Sequence, residues 1–545
     1  MNAGSSLKFA IIYPPLRNQA DIFPPYGCLS IINALTAVGV QVDFMNLDYD
    51  RKLLLKDVLL RIKETLPDVI GISAVTSTTY AFIKELIFEV KKNISKKIIF
   101  IVGGNIVSNA EVLIGKAGVD ICFIGESYYT IQEFVKCFDG KTLLPDELSK
   151  VKGLVFERNK ELFYSGRRSL EDINTIPLIR NFDLLDTDHY FPLINKQDFR
   201  NYPEQMQRKI ERLPSGKRRA IVLIGSGCQN ACTFCHRNVR GIRQRSIDAA
   251  FEYLDELIKK YDLGLIHFGD ESFFFKEDWL KSFTEEISKR KICFGFSGVR
   301  ADMVVKYQKY VQEMAENAGL IDIAIGLESG SQKMLDIMNK NISVEVNEMA
   351  IDIVNGLNIY HTPQIILGMP GDGPREIVQS QKIIERCKSN SGLASINVAQ
   401  VLPGTPLYWF AMKNRLIQDE EAYLLSISNK NAFDLSGTIS VSEYPIQIYA
   451  VARHRLWINS QMKKTQFRAV ASASKGFLKF LFEITKSPRI SRRDKISILC
   501  YAFLGKTFKT RPFAFDIRPL NRMMNEDIRK NISENGVEAI KYGHQ

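Results

Sequence analysis

"GSGCQNACTFCHRN", residues 225 to 238, sets Cys228, Cys232 and Cys235 within eight positions. The remaining cysteines (28, 122, 137, 293, 387 and 500) stand singly along the 545 residues, as buried apolar thiols do. Three thiolates can hold three irons of a cubane cluster and leave the fourth iron open to another ligand. A closed zinc site takes four ligands. His236 could in principle be the fourth, but adjacent residues such as Cys235 and His236 seldom reach the same tetrahedral metal. Position adds to spacing. The cysteines follow directly on "AIVLIGSG", an apolar run that reads as a strand, and strand ends are where β/α barrels carry their chemistry.

Working outward, strand and helix signals alternate on both sides of this stretch. Downstream, "LGLIHFGD", "ICFGFSG", "LIDIAIGLE", "YHTPQIILGMPG" and "ASINVAQVLPG" read as further strands, with helices such as "SIDAAFEYLDELIKKY" between them. That makes six β/α units, fewer than the eight of a closed barrel, so a partial (βα)6 TIM-type barrel is expected over residues 216–410. Upstream, residues 7–140 alternate in the same way, from "LKFAIIYPP" through "PDVIGISAVTS" and "KIIFIVGGN" to "VDICFIGES". This predicts an α/β fold that opens with a doubly wound, Rossmann-like domain over 1–140, whose ligands sit at the carboxyl ends of the strands. Residues 141–215 read as a connector with a hairpin, "GLVFERNKELFYSG", and 411–545 as a mostly helical, basic C-terminal region.

Composition narrows the class. The chain is 45% hydrophobic and 25% charged, as globular proteins are. No apolar run reaches the roughly 18 residues of a membrane span. "FAIIY" is stopped by Pro14 and Pro15 and makes a poor signal peptide, so a cytoplasmic location is expected. Of the net charge of +12, residues 451–545 carry 20 Lys+Arg against 7 Asp+Glu, or +13, which leaves the rest near −1. That basic stretch interleaves apolar and cationic residues. It fits a solvated face, a membrane surface or an anionic substrate; nucleic acid is not expected, because no reader motif accompanies the charge.

C-x3-C-x2-C with Phe234 before the third cysteine resembles the signature of the radical S-adenosylmethionine enzymes. "HFGDESFF" (267–274), "GLESGSQKMLDIMNK" (326–340), "IILGMPGDGPRE" (365–376) and "VLPGTPLY" (401–408) look like later strand ends of that family's barrel. Joined to "PPYGCLSIINALTAVG", "GISAVTSTT", "VGGN" and "VDICFIGES", they resemble the cobalamin-binding subgroup, the class B radical methylases, over roughly residues 7–410.

The resemblance implies three cofactors: a 4Fe–4S cluster on Cys228, Cys232 and Cys235, S-adenosylmethionine on its open iron, and cobalamin on the N-terminal domain. It places Phe234, Asp270 or Glu271, Arg300, Glu328 and Gly368 around the nucleotide, and Ser73, Thr76, Gly103, Gly104, Gly125 and Glu126 around cobalamin. On the residues alone, Asp270 and Glu271 serve equally as helix-capping acids, Arg300 as a rim cation, Ser73 as a cap and Gly368 as part of a tight turn. Glu328, in an apolar setting, needs a partner. Side chains at Gly103 and Gly104 would block a corrin tail. One departure stands out. The Asp-x-His-x-x-Gly loop of other cobalamin domains is missing, and no histidine precedes His189, so the domain cannot place imidazole beneath the cobalt.

The expected activity is transfer of a methyl group from methylcobalamin to an unactivated carbon or phosphorus of a substrate radical, generated by the 5′-deoxyadenosyl radical. The alternatives are non-methylating radical chemistry on the same scaffold (cyclisation, ring rearrangement, oxidation) and, more remotely, a cobalamin- or cluster-sensing regulator. The implied partners are a small-molecule, lipid or peptide substrate and an electron donor such as flavodoxin or ferredoxin.

Overall fold

In the computed structural model the described residues are 7–16, 22–50, 53–75, 77–200, 202–236, 241–387, 395–428, 438–462, 478, 481–487 and 490–504. The first β/α stretch forms a seven-stranded sheet. Its strands are β1 (Lys8–Tyr13), β2 (Gln41–Asn46), β3 (Val69–Ser73), β4 (Ile99–Gly103), β5 (Ile121–Phe123), β6 (Leu154–Arg158) and β7 (Glu161–Tyr164), in spatial order 2-1-3-4-5-6-7. The first five are parallel. Strands such as β3, "VIGIS", are apolar throughout because both faces are covered. Helices α1 (Tyr26–Ala37) and α3 (Tyr128–Lys136) pack on one face, and α2 (Tyr80–Asn93) on the other. Chain order reverses between β1 and β3, and such switch points open a crevice at the strand ends. One boundary differs from expectation. The hairpin assigned to the connector is β6–β7, and it pairs antiparallel with β5, so the first sheet runs to Tyr164 and past residue 140. Apolar Leu154, Val155 and Phe156 are buried against the domain's two cores, which is what draws the hairpin in.

The second β/α stretch forms a curled half-barrel of six parallel strands: β8 (Arg218–Val222), β11 (Leu263–Phe268), β12 (Cys293–Arg300), β13 (Leu320–Glu328), β14 (Tyr360–Leu367) and β15 (Ser395–Val398), paired in sequence order. Between the first two lies a small antiparallel hairpin, β9 (Gly225–Cys228) and β10 (Gly241–Gln244). The outer face is covered by α4 (Ile247–Tyr261), α5 (Glu277–Ser288), α6 (Gln332–Ile337), α7 (Val344–Gly356) and α8 (Pro374–Arg386). Ser246 and Ser343 cap α4 and α7 through their hydroxyls. Along β14, His361, Pro363, Ile365 and Leu367 are buried while the alternate residues keep some exposure. One end of the barrel interior is filled from the connector. Tyr202 stacks on Tyr360 at 3.7 Å and donates to Asp322 Oδ2 at 3.0 Å, which His267 Nε2 also meets at 3.0 Å. The Asp322 charge holds the His267 imidazole above its usual pKa against the opposing effect of burial.

The described part of the C-terminal region belongs to this body. After α9 (Pro406–Lys413) and α10 (Glu420–Ile427), helices α11 (Ile446–Met462) and α12 (Arg492–Leu504) supply Ile448, Tyr449, Val451, Ala452, Leu456, Ile498 and Tyr501 to the barrel core. The described apolar residues of the basic stretch therefore form a barrel wall, and residues 463–477 and 505–545 of it lie outside the described residues. Among the described residues no helix is long and apolar enough to cross a membrane.

Tyr449 is the key of that wall. Its buried hydroxyl is hydrogen-bonded to the Asp372 carbonyl oxygen (2.9 Å) and the Ser442 hydroxyl (2.7 Å). Tyr449→Phe is expected to cost about 1–2 kcal/mol and Tyr449→Ala about 3–5 kcal/mol in urea unfolding of the full chain.

Candidate active site

The cysteine loop has little regular structure, so its shape comes from what it leans on. Thr233, between Cys232 and Cys235, donates its N–H to the Met338 carbonyl (3.0 Å) and its hydroxyl to the Ile337 carbonyl (3.0 Å) at the end of α6. Asn339 Nδ2 donates to Ala231 O at 2.8 Å, and Leu407 N, at the start of α9, donates to Thr233 O at 3.0 Å. Phe234 packs on the apolar cluster of Met334, Met338 and Leu407. Cys228 ends β9 and accepts from Asn230 Nδ2; Cys232 is buried and Cys235 exposed. Burial pushes the Cys232 thiol up, while Lys340 and Arg300 pull it back toward the thiolate. Three thiols in one loop suit a cubane with an open iron better than a closed zinc site. Among the described residues no three His, Cys, Asp or Glu side chains gather to hold a single metal ion.

Asp270 sits below this loop. Its carboxylate accepts from Ile224 N (3.1 Å) and from Gly225 N, where β8 gives way to β9. Burial raises it to about 7, against the pull of those N–H groups. The structure thus uses Asp270 to shape the backbone that delivers Cys228, while Glu271 is exposed. Arg300, at the end of β12, forks onto Asp302 (2.9 and 3.1 Å) and donates to Lys340 O at 2.7 Å. Its Nη1 is buried with no acceptor among the described residues. Glu328, at the end of β13, has its partner in Lys340 Nζ at 2.7 Å. Gly368 turns the chain after β14, its N–H held by Asp372 Oδ2 at 2.7 Å and Tyr449 stacked close behind it.

The cobalamin-domain residues lie at the strand ends facing this loop. Ser73 ends β3 and hydrogen-bonds the Cys28 thiol of α1, which burial pushes up to about 12. Thr76 lies outside the described residues. Gly103 has room for a side chain, with only Phe123 near, at 3.9 Å. Gly104 has none. Its φ is +101°, and a Cβ would lie 2.5 Å from the Ala74 carbonyl oxygen, so the neighbouring strand end demands this glycine. Next to it, Asn105 Oδ1 is buried with no donor among the described residues. Gly125 opens on free space. Glu126 reaches across to the other domain, accepting from Ser226 Oγ at 2.8 Å and pairing with Arg243 on the hairpin that carries Cys228.

Three contacts not foreseen from sequence complete the joint. Ser108 Oγ meets His236 Nε2 at 3.1 Å, beside Cys235. Gly404 (φ +80°) abuts both; a Cβ there would lie 2.2 Å from Ser108 Oγ. Arg243 also donates to Glu171 O at 2.7 Å. The partners of these residues are 72 or more positions away, and no local pattern marks them.

Comparison with known proteins agrees with this arrangement. A profile of the B12 binding domain matches residues 16–135, and a profile of the radical SAM superfamily matches residues 222–384. The chain is a cobalamin-binding radical S-adenosylmethionine enzyme. The cofactors of this class are a 4Fe–4S cluster, S-adenosylmethionine and cobalamin. An uncharacterised methyltransferase of Pyrococcus horikoshii is 24% identical over 422 residues, covering 75% of this chain and 84% of that protein. An anaerobic magnesium-protoporphyrin IX monomethyl ester cyclase of Cereibacter sphaeroides is 24% identical over 356 residues, covering 64% of this chain and 54% of the cyclase. Among solved structures, the cobalamin-dependent radical enzyme OxsB, with aqua-cobalamin and S-adenosylmethionine bound, shares the fold. Its TM-score is 0.59 at 17% identity, over 91% of this chain and 71% of that one. The radical methyltransferase TsrM of Kitasatospora setae shares it at a TM-score of 0.54 and 14% identity, over 74% of this chain and 75% of that one.

Two substitutions test the joint. Asp270→Ala leaves two buried N–H groups unsatisfied and is expected to lower the iron bound after anaerobic reconstitution several-fold, whereas Asp270→Asn, which keeps an acceptor oxygen, retains most of it. Glu126→Gln removes the charge facing Arg243. It is expected to weaken cobalamin binding about tenfold in equilibrium titration while leaving iron content unchanged.

Proposed function

We propose that this enzyme is a methyltransferase that moves a cobalamin-borne methyl group to an unactivated carbon, or a phosphorus, of a substrate radical. The observation that carries the reading is the joint between the two domains. The loop bearing Cys228, Cys232 and Cys235 and the strand ends bearing Gly104, Asn105, Gly125 and Glu126 meet through Ser108–His236 and Glu126–Ser226. A corrin face and a cluster-bound nucleotide held there would lie on opposite sides of one space. An sp3 C–H bond has no nucleophile to offer, so methylation there needs hydrogen abstraction and methyl delivery in the same space.

When bound, the cluster and S-adenosylmethionine supply the hydrogen-abstracting radical, and cobalamin supplies the methyl group. The protein's part is placement. We assign Cys228, Cys232 and Cys235 to the cluster. Arg300, with its buried Nη1 lacking an acceptor among the described residues, is assigned to a carboxylate of the nucleotide, and Glu328 to its ribose or amino group. Asn105 and the glycines at 104 and 125 are assigned to the corrin side. Asp270 acts through the backbone it holds. The substrate is a small molecule, lipid or peptide, and the reductant a one-electron carrier such as flavodoxin or ferredoxin.

A second reading has one observation in its favour, the 24% identity to a cyclase. On that reading the same site would abstract hydrogen without delivering methyl.

Product counting separates the two. Reconstituted with iron, sulfide and hydroxocobalamin under anaerobic conditions, the enzyme is expected to give one S-adenosylhomocysteine and one 5′-deoxyadenosine per substrate consumed. 5′-Deoxyadenosine without S-adenosylhomocysteine would decide for the non-methylating chemistry.

A further inference from the structure

Lys340 is 5% exposed, and its ammonium lies 2.7 Å from Glu328 Oε1, itself in a buried side chain. Its placement follows from how α6 ends. Asn339 adopts left-handed backbone (φ 52°), which asparagine tolerates, and Lys340 N returns to the Leu335 carbonyl at 3.0 Å, a Schellman closure. The closure has two results. The carbonyls of Ile337 and Met338 face the cysteine loop and hold Thr233. The chain then turns, and the Lys340 side chain enters space that Gly326 leaves open: a Cβ at 326 would lie 2.7 Å from Glu328 Oε1 and 3.1 Å from Lys340 Nζ. One four-residue segment thus both grips the loop and delivers a buried cation beside it.

Glu328 has φ 60°, uncommon for a residue with a side chain and kept only where the surroundings impose it. Arg300 holds the Lys340 carbonyl at 2.7 Å, so the pair is fixed from both sides. A buried ion pair is weak support for stability, and apolar side chains of similar volume fill such space as well or better. Its presence next to metal-ligating thiols points to an electrostatic use, because charges in a low-dielectric interior act strongly over several ångströms.

We propose that Lys340 is a positioning residue that fixes Glu328 in its strained pose and balances its charge, so that the iron–sulfur cluster is held at a potential where it accepts an electron. The step concerned is a one-electron reduction: the cluster gains one electron from an external one-electron donor, and no bond forms or breaks. Charge, burial and hydrogen bonding around such clusters set their potentials. The inference rests on the cluster being bound by the three cysteines, and not on methyl transfer.

The test is a redox titration of the anaerobically reconstituted full chain, followed by electron paramagnetic resonance without S-adenosylmethionine or cobalamin. Lys340→Met leaves one uncompensated negative charge, and the reduced-to-oxidised ratio at fixed potential is expected to fall about tenfold, a shift of about 59 mV. Glu328→Gln leaves one uncompensated positive charge and is expected to raise the ratio by a similar factor. The double variant restores neutrality and returns to within about twofold of the parent; Lys340→Arg stays there as well. Should Lys340→Met fail to hold a cluster, Glu328→Gln and the double variant still carry the test. Shifts of the same sign in both single variants, no shift, or loss of the cluster from both would overturn the proposal. A parent chain that binds no iron would instead overturn the cluster assignment beneath it.

Discussion

A loop with three thiols and little secondary structure must be held in place by something else, and here it is held by hydrogen bonds from three distant regions. Asp270, after β11, secures the backbone ahead of the loop. The carbonyls that end α6 secure its middle through Thr233, and Leu407, opening α9, secures it from the other side. Each such bond contributes about 1 kcal/mol net, whereas ordering each residue's backbone costs about 1–2 kcal/mol. No single tether suffices. The loop takes its shape from the half-barrel that closes around it.

The electrostatics follow the same plan. The barrel side of the joint offers Arg243, and the first domain offers Glu126. Polar and charged pairs at the joint fix register between domains more than they add stability. Apolar packing supplies the stability elsewhere, in the two faces of the first sheet and in the wall that α11 and α12 lend to the barrel.

The fold was largely legible because parallel strands buried on both faces read as uninterrupted apolar runs, as β4, "IFIVG", does. The cysteine motif was legible because its spacing is local. What sequence could not show was pairing at a distance. Glu328 was seen to need a partner, but Lys340 went unassigned although it lies only 12 residues on, because nothing local shows that α6 ends by turning back. The backbone that Asp270 holds is 46 residues away, and the Arg243 that Glu126 meets is 117 residues away, so neither contact leaves a local trace. The C-terminal helices were read by charge, and it is their less conspicuous aliphatic residues, such as Ile448 and Val451, that seat them in the core.

Gly404, Ser108 and His236 meet with no room to spare. One belongs to the segment after the last barrel strand, one to the first domain and one to the cysteine loop. A change of size at any of them must be answered at the other two. The two halves of the chain are therefore a matched pair: a chimera that took one half from a foreign counterpart would carry a mismatched seam.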